Sequence, residues 1–198
     1  MTQTISRTRK MTSLAMLAAV SAVLQYIEFP LPMIMPPFIK FDFSDLPALI
    51  GAFAFGPLAG VVIEFIKNIL HCLVSQSATV GELSNFLLGS VFALTAGFIY
   101  KSCKKKKTAL WGGIVGAVVM GLFSIPSNLY VVYPFYYNFM PKEVVLSAYQ
   151  AIVPSMKSIL QCLIVFNLPF TIIKGLLCVV ITMFIYKPLS PILKGFKK

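Results

Sequence analysis

The chain predicts an all-α integral membrane protein: six transmembrane helices in one compact bundle, with both termini cytoplasmic. Three observations lead there. Six apolar stretches, separated by Pro/Gly breaks and short polar loops, take up most of the 198 residues. Apolar residues make up 58% and charged ones only 12%, with mean hydropathy +0.87; a soluble protein of that content would turn large apolar patches to water. The basic residues, finally, collect in alternate loops. No tract of comparable length is left for a soluble domain, so residues 1–198 read as a single domain.

A helix needs about 20 apolar residues to cross the hydrocarbon core, and spans are expected near 11–29, 46–55, 58–74, 83–100, 109–133 and 157–186. The first follows a polar MTQTISRTRK and carries no small-residue cleavage site, so it reads as a retained helix rather than a signal peptide. The second is too short to cross unaided. It meets the third at Gly56-Pro57, where proline removes a donor and glycine permits the turn, which suits a short helix packed inside the bundle. In the sixth span Asn167, Thr171 and Lys174 stand at i, i+4 and i+7, one stripe on one face. Pro169 among them disturbs the Val165 carbonyl, so a kink is expected there.

Six crossings place loops 1–10, 56–57, 101–108 and 187–198 on one side and 30–45, 75–82 and 134–156 on the other. The first set holds Arg7, Arg9, Lys10, Lys101, Lys104, Lys105, Lys106, Lys107, Lys187, Lys194, Lys197 and Lys198 without an acid. The second holds Asp42, Asp45, Glu82 and Glu143 against Lys40 and Lys142. Lysine and arginine stay on the cytoplasmic side during insertion, so the basic face is cytoplasmic and the cell membrane is the expected location. The net charge of +11 is then topology and attraction to lipid headgroups; it calls for no nucleic-acid partner.

Several chemistries lack their residues. There is no phosphate-cradling G-x-x-x-x-G-K-[ST] loop, so uphill movement would draw on an ion gradient or another subunit. Cys72, Cys103, Cys162 and Cys178 show no metal-ligand or disulfide spacing and read as small apolar fillers. The lone His71 has no partner at metal spacing, and Ser44-Asp45 has no histidine base beside it. No enzyme, metal or cofactor is expected.

Ionisable groups inside spans cost several kcal/mol, roughly, and usually face the protein interior or a cavity. Glu64 and Lys67, three apart with Asn68 beside them, form a self-compensated pair that braces the second and third helices. Lys174 has no partner within its own helix, which favours a ligand cavity over an interhelical hydrogen-bond network. Asn128 beside Pro126, followed by Tyr130, Tyr133, Tyr136 and Tyr137, fits either an interfacial aromatic belt or the wall of a site for a flat ring. The aromatic, proline-stiffened stretch from Pro36 to Asp45 fits a lid or an ordinary surface loop. Ala15, Ala18, Ala19 and Ala22 form two small-x-x-x-small pairs, suited to packing within the bundle or to docking a separate subunit.

Three stretches resemble a known family: KFDFSDLPALIGAFAFGPLAGVVIEFIKNILHCL from Lys40, GELSNFLLGSVFALTAGFIY from Gly81, and the late pair Asn128-Leu129-Tyr130 with Pro134-Phe135-Tyr136 and Pro169-Phe170-Thr171-Ile172-Ile173-Lys174-Gly175. Over essentially the whole length the chain is similar to the substrate-binding subunit (S component) of energy-coupling-factor vitamin transporters, specifically the riboflavin kind. The K-x-D-F-S-D-x-P-A-L-x-G loop and K-N-x-x-H segment carry the subgroup. The resemblance implies capture of the vitamin outside, then ATP-driven delivery with a membrane coupling protein and two cytoplasmic ATPases. It also implies that the alanine face docks the coupling protein and that the pocket lies near the outer surface. Thr171 stands where the family often has asparagine, leaving a hydroxyl in place of an amide, with Asn167 one turn earlier.

Riboflavin has a flat ring with a polar edge and a hydroxylated chain, and its site needs apolar walls with a few directed polar groups. Asn128, Thr171, Lys174 and Asn167 are expected to supply directed contacts, Phe41, Asp42 and Tyr130 to close the pocket, and Asn85 to join them. Alternatives are the same architecture with another vitamin or a flavin nucleotide, and a stand-alone secondary transporter. The second is disfavoured by the lack of a second, inverted set of broken helices.

Overall fold

The Ser6 hydroxyl accepts the Arg9 amide at 3.2 Å and so opens α1 (Arg7–Tyr26). The computed structural model describes residues 6–75 and 78–194; residues 1–5, 76–77 and 195–198, with Lys197 and Lys198 of the basic face, lie outside it. After α1 the chain makes a short antiparallel ribbon, β1 (Phe29–Pro30) with β2 (Lys40–Phe41), Phe29 opposite Phe41. The ribbon closes the base of the proline-rich loop 31–39, and the rest of the described chain is mostly helical, as expected. α2 (Asp45–Phe55) and α3 (Pro57–His71) meet at Gly56, whose φ of +105° is strained for any L side chain. α4 (Val80–Ser102) and α5 (Lys106–Ser127) come next.

Beyond Ser127 the helix widens into a π turn over Asn128–Val132 before α6 (Tyr133–Tyr136). α7 (Lys142–Gln150) occupies a stretch expected to be loop, and α8 (Ile159–Cys162) enters a second π turn over Leu163–Asn167 that leads into α9 (Leu168–Lys194). The two π turns share a cause. Pro134 and Pro169 lack the N–H that would bond the carbonyls of Tyr130 and Val165, and each ring crowds its carbonyl. The chain answers with one wider turn: Tyr133 N–H bonds the Asn128 carbonyl, and Leu168 N–H that of Leu163. The kink expected at Pro169 takes this form.

Four helical stretches among the described residues are long and apolar enough to cross a membrane: Pro57–Val74, Val80–Ser102, Lys106–Tyr136 and Ile159–Leu189. α2 is too short. α1 has the length, but Arg7, Arg9, Lys10 and its Ser, Thr and Gln residues dilute its apolar character. α4 packs on α3 and α5, and α9 on α5 and α2. Close approach of α3 and α4 depends on Gly89, where a Cβ would overlap the Glu64 carboxylate. At one end of the bundle Arg9 Nη2 donates to the Ile192 carbonyl at 3.2 Å, joining the two ends of the described chain. Lys10, Lys101 and Lys104 surround one recess with Gly56, so two of the basic stretches and the 56–57 turn share a neighbourhood.

Candidate functional site: a cavity between two cores

Two apolar cores form. One joins Leu17, Leu49, Phe53, Phe92, Met120 and Val179; the other gathers Met35, Val132, Tyr133, Tyr149 and Leu163 beneath the loop and α7. A cavity of about 280 Å³ touches both, near the lower end of small-molecule sites. Asn128, Asn167, Thr171, Lys174 and Asn85, all expected from sequence, line it. The π turns carry the two asparagines: Asn128 opens one and Asn167 ends the other.

Hydrogen bonds orient both amides. Asn128 Nδ2 donates to the Ser124 carbonyl at 2.7 Å, leaving its Oδ1 as an acceptor. Asn167 Oδ1 accepts from Tyr149 Oη at 2.6 Å, leaving its Nδ2 as a donor, and Tyr133 bonds Tyr149 in turn at 2.6 Å. Burial pushes the Tyr149 phenol well up, so it keeps the proton it donates.

Lys174 is not without a partner. Its Nζ lies 2.9 Å from Asp42 Oδ2, 3.2 Å from Asp45 Oδ2 and 3.4 Å from Asn85 Oδ1. Asp45 Oδ1 is 2.6 Å from Lys67 Nζ, which is also 2.8 Å from Glu64 Oε2 and 2.7 Å from Ser44 Oγ. Asp42, Lys174, Asp45, Lys67 and Glu64 thus form one buried chain of alternating charge linking the loop, α2, α3 and α9. The Glu64–Lys67 pair is a segment of it, and the reading of Lys174 as unpaired is corrected. No spacing within one helix announces a partner 132 positions away.

Three other expected residues sit elsewhere. Asp42 lies behind Lys174 rather than on the cavity wall. Phe41 is buried edge-on against Phe170, ring centroids 5.9 Å apart, and lines a separate apolar groove with Pro169 and Ile173. Tyr130 is 75% exposed and does not line the cavity; Tyr133 and Tyr136, on the next turn, do. The alanine stripe also divides: Ala18 and Ala22 are buried inside the bundle, while Ala15 and Ala19 are exposed. Ala18 and Ala22 therefore cannot form an open docking face.

Sequence reading missed one wall altogether. Gln25, Glu28, His71 and Glu82, from α1, the segment after it, α3 and α4, line the cavity. His71 Nδ1 lies 2.8 Å from Glu82 Oε1, Ser75 donates to Glu82 Oε2 at 2.9 Å, and Lys40 pairs with Glu28 at 2.6 Å. The K-N-x-x-H segment held the only hint, since it sets His71 one turn beyond Lys67 and Asn68.

The chain matches the model of the ECF transporter substrate-specific component over residues 9–186. It belongs to that family. This S component is 34% identical over 190 residues to the riboflavin transporter RibU of Staphylococcus aureus (strain TCH60), spanning 96% of this chain and 95% of the relative. It is 29% identical to the riboflavin transporter FmnP of Bacillus subtilis (strain 168), spanning 93% and 94%. A solved structure of the S component of a bacterial ECF transporter superposes with a TM-score of 0.74 at 33% identity, covering 96% of this chain and 99% of the other. The family comprises transporter components, not enzymes, and with its apolar helices this S component is a membrane protein.

Proposed function

We propose that this S component is the high-affinity riboflavin-binding subunit of its transporter, capturing the vitamin outside and delivering it inward with an ATP-driven coupling module. The observation that carries the reading is the pairing of oriented amides at the two π turns with Thr171 and Lys174 beside them. A flavin's polar edge presents an N–H between two carbonyls. The Asn128 Oδ1 acceptor suits the N–H, and the donors of Asn167, Thr171 and Lys174 suit the carbonyls. Met120, Val132, Leu88 and Phe170 supply apolar surface for the ring faces. Names of the relatives from S. aureus and B. subtilis, both riboflavin transporters, support the same cargo.

In this reading the whole chain is one domain crossing the cell membrane six times, α1 and α2 completing the bundle around the four longer helices. Both termini face the cytoplasm, as the Arg9–Ile192 contact and the shared basic recess support. The partners are a membrane coupling protein and two cytoplasmic ATPases, with Ala15 and Ala19 offering the coupling protein a close-approach surface. The first test is to purify the chain in detergent and read its visible absorbance before and after denaturation. A yellow chromophore near one per chain, identified as riboflavin by mass spectrometry, is the expected result. A colourless protein that does not quench added riboflavin ends the flavin assignment.

A further inference from the structure

We propose that Tyr149 of α7 is a positioning residue of the binding site: with Tyr133 behind it, its hydroxyl fixes the Asn167 amide with Oδ1 bound to the protein and the NH2 group kept for the ligand. The inference rests on the flavin reading above and gives a role to α7, which contributes no residue to the cavity wall.

Packing first locates the Tyr149 ring. It belongs with Val145 to the buried face of α7. It meets Phe38 of the proline-rich loop edge-on, centroids 6.1 Å apart, and Phe166 of the second π turn at 5.4 Å. A ring held on two sides brings its hydroxyl to one place. Tyr133 Oη, Tyr149 Oη and Asn167 Oδ1 then stand in series, each 2.6 Å from the next.

An amide can be turned end for end, so counting protons decides which way the series runs. From Tyr133 to Tyr149 to Oδ1, both phenol protons find an acceptor. In reverse, Asn167 Nδ2 would donate to Tyr149 and Tyr149 to Tyr133. The Tyr133 proton would then lack an acceptor among the described residues, on a side chain only 2% exposed. A buried donor left unpaired bears its full desolvation cost, so the forward direction is the stable one. It leaves Asn167 Nδ2 without a protein partner among the described residues, on a residue that lines the cavity. Nor is that nitrogen one of the sealed, unpartnered polar atoms of the interior. A donor fixed before the ligand arrives needs no reorientation on binding and favours a ligand edge that carries an acceptor. Without the Tyr149 hydroxyl the amide is free to turn and offer its oxygen instead.

A double-mutant cycle on the purified full chain, read by riboflavin fluorescence, tests the role: Tyr149→Phe, Asn167→Ala and both together. Tyr149→Phe keeps the ring and removes only its hydroxyl. It is expected to weaken riboflavin about tenfold in the wild-type background and less than about twofold in the Asn167→Ala background. A carbonyl stretch of the bound flavin, read by infrared difference spectroscopy, is expected to rise in frequency in both single variants, because both take away the same donor. General loosening of α7 would not single out that band. If Tyr149→Phe does not fold, Asn167→Asp decides: its carboxylate still accepts from Tyr149 but has no NH2, and riboflavin is expected to weaken by at least about tenfold. Wild-type affinity in Asn167→Ala or Asn167→Asp overturns the positioning role, as do equal Tyr149→Phe losses in the two backgrounds; in each case riboflavin still binds the wild type. A wild type that binds no riboflavin ends the flavin reading itself.

Discussion

Lys174 is 7% exposed and shares its charge with two aspartates, yet the residue also lines the cavity. A lysine so held has lost its freedom before any ligand arrives, which lowers the entropic cost of using it. Lys174→Met is expected to weaken riboflavin by about tenfold, about 1.4 kcal/mol, in a fluorescence titration; unchanged affinity removes it from the site. Tyr130→Ala, by contrast, truncates an exposed ring outside the cavity and should leave affinity where it was. Lys67 has the complementary role, lying against Asp45 and Glu64 with no exposure to solvent. Lys67→Met strands Glu64 and leaves Asp45 to Lys174 alone, and breaking a buried pair from one side costs about 3–5 kcal/mol. A large fall in Tm in detergent is the expected outcome, and an unchanged Tm would deny the charge chain a structural role. At this scale the sequence named the polar residues of the two π turns and α9 that line the cavity, because a charge or amide inside an apolar run is conspicuous. It did not name Gln25 or Glu82, which stand near helix ends where polar residues are ordinary.

At the scale of elements, the two proline-driven π turns do most to shape the site. An extra residue in a turn rotates the helix before it by about 100° relative to the helix beyond it. That rotation brings Asn128 and Asn167 to the cavity and leaves Tyr130 outside. Pro169→Ala restores the missing N–H and lets the turn relax to ordinary α-helix. Its expected result is riboflavin affinity lower by about tenfold with helical content by circular dichroism unchanged. Wild-type affinity in that variant would mean that the π turn does not set the position of Asn167. Proline itself was legible, and with it a disturbed helix at Val165. Whether the disturbance becomes a hinge or an extra residue depends on what packs around it, and here the core of Tyr133, Tyr149 and Leu163 surrounds the widened turns.

For the molecule as a whole, the split alanine stripe allows packing inside the bundle and the proposed docking to be tested apart. Ala19→Leu adds bulk to an exposed surface, so it should leave Tm and riboflavin affinity unchanged and reduce capture of the chain by its coupling module in a pull-down. Ala18→Leu adds the same bulk inside the bundle and should lower Tm, with overpacking costing about 1–3 kcal/mol. Equal capture of Ala19→Leu and the wild type would move the docking surface off α1.

The sequence by itself determined the helical membrane class, the approximate limits of the long helices and the gathering of basic residues. Each comes from local composition: apolar run length decides what lipid can solvate, and Gly and Pro mark the breaks. Only the tertiary structure decided which charges meet, which alanines stay open and which residues line the cavity. Asp42 reaches Lys174 across 132 positions, and Gln25 reaches the cavity from a helix that no polar stripe had pointed to. Contacts of that kind depend on how helices rotate and cross, which the packing of the whole bundle sets and no single helix encodes.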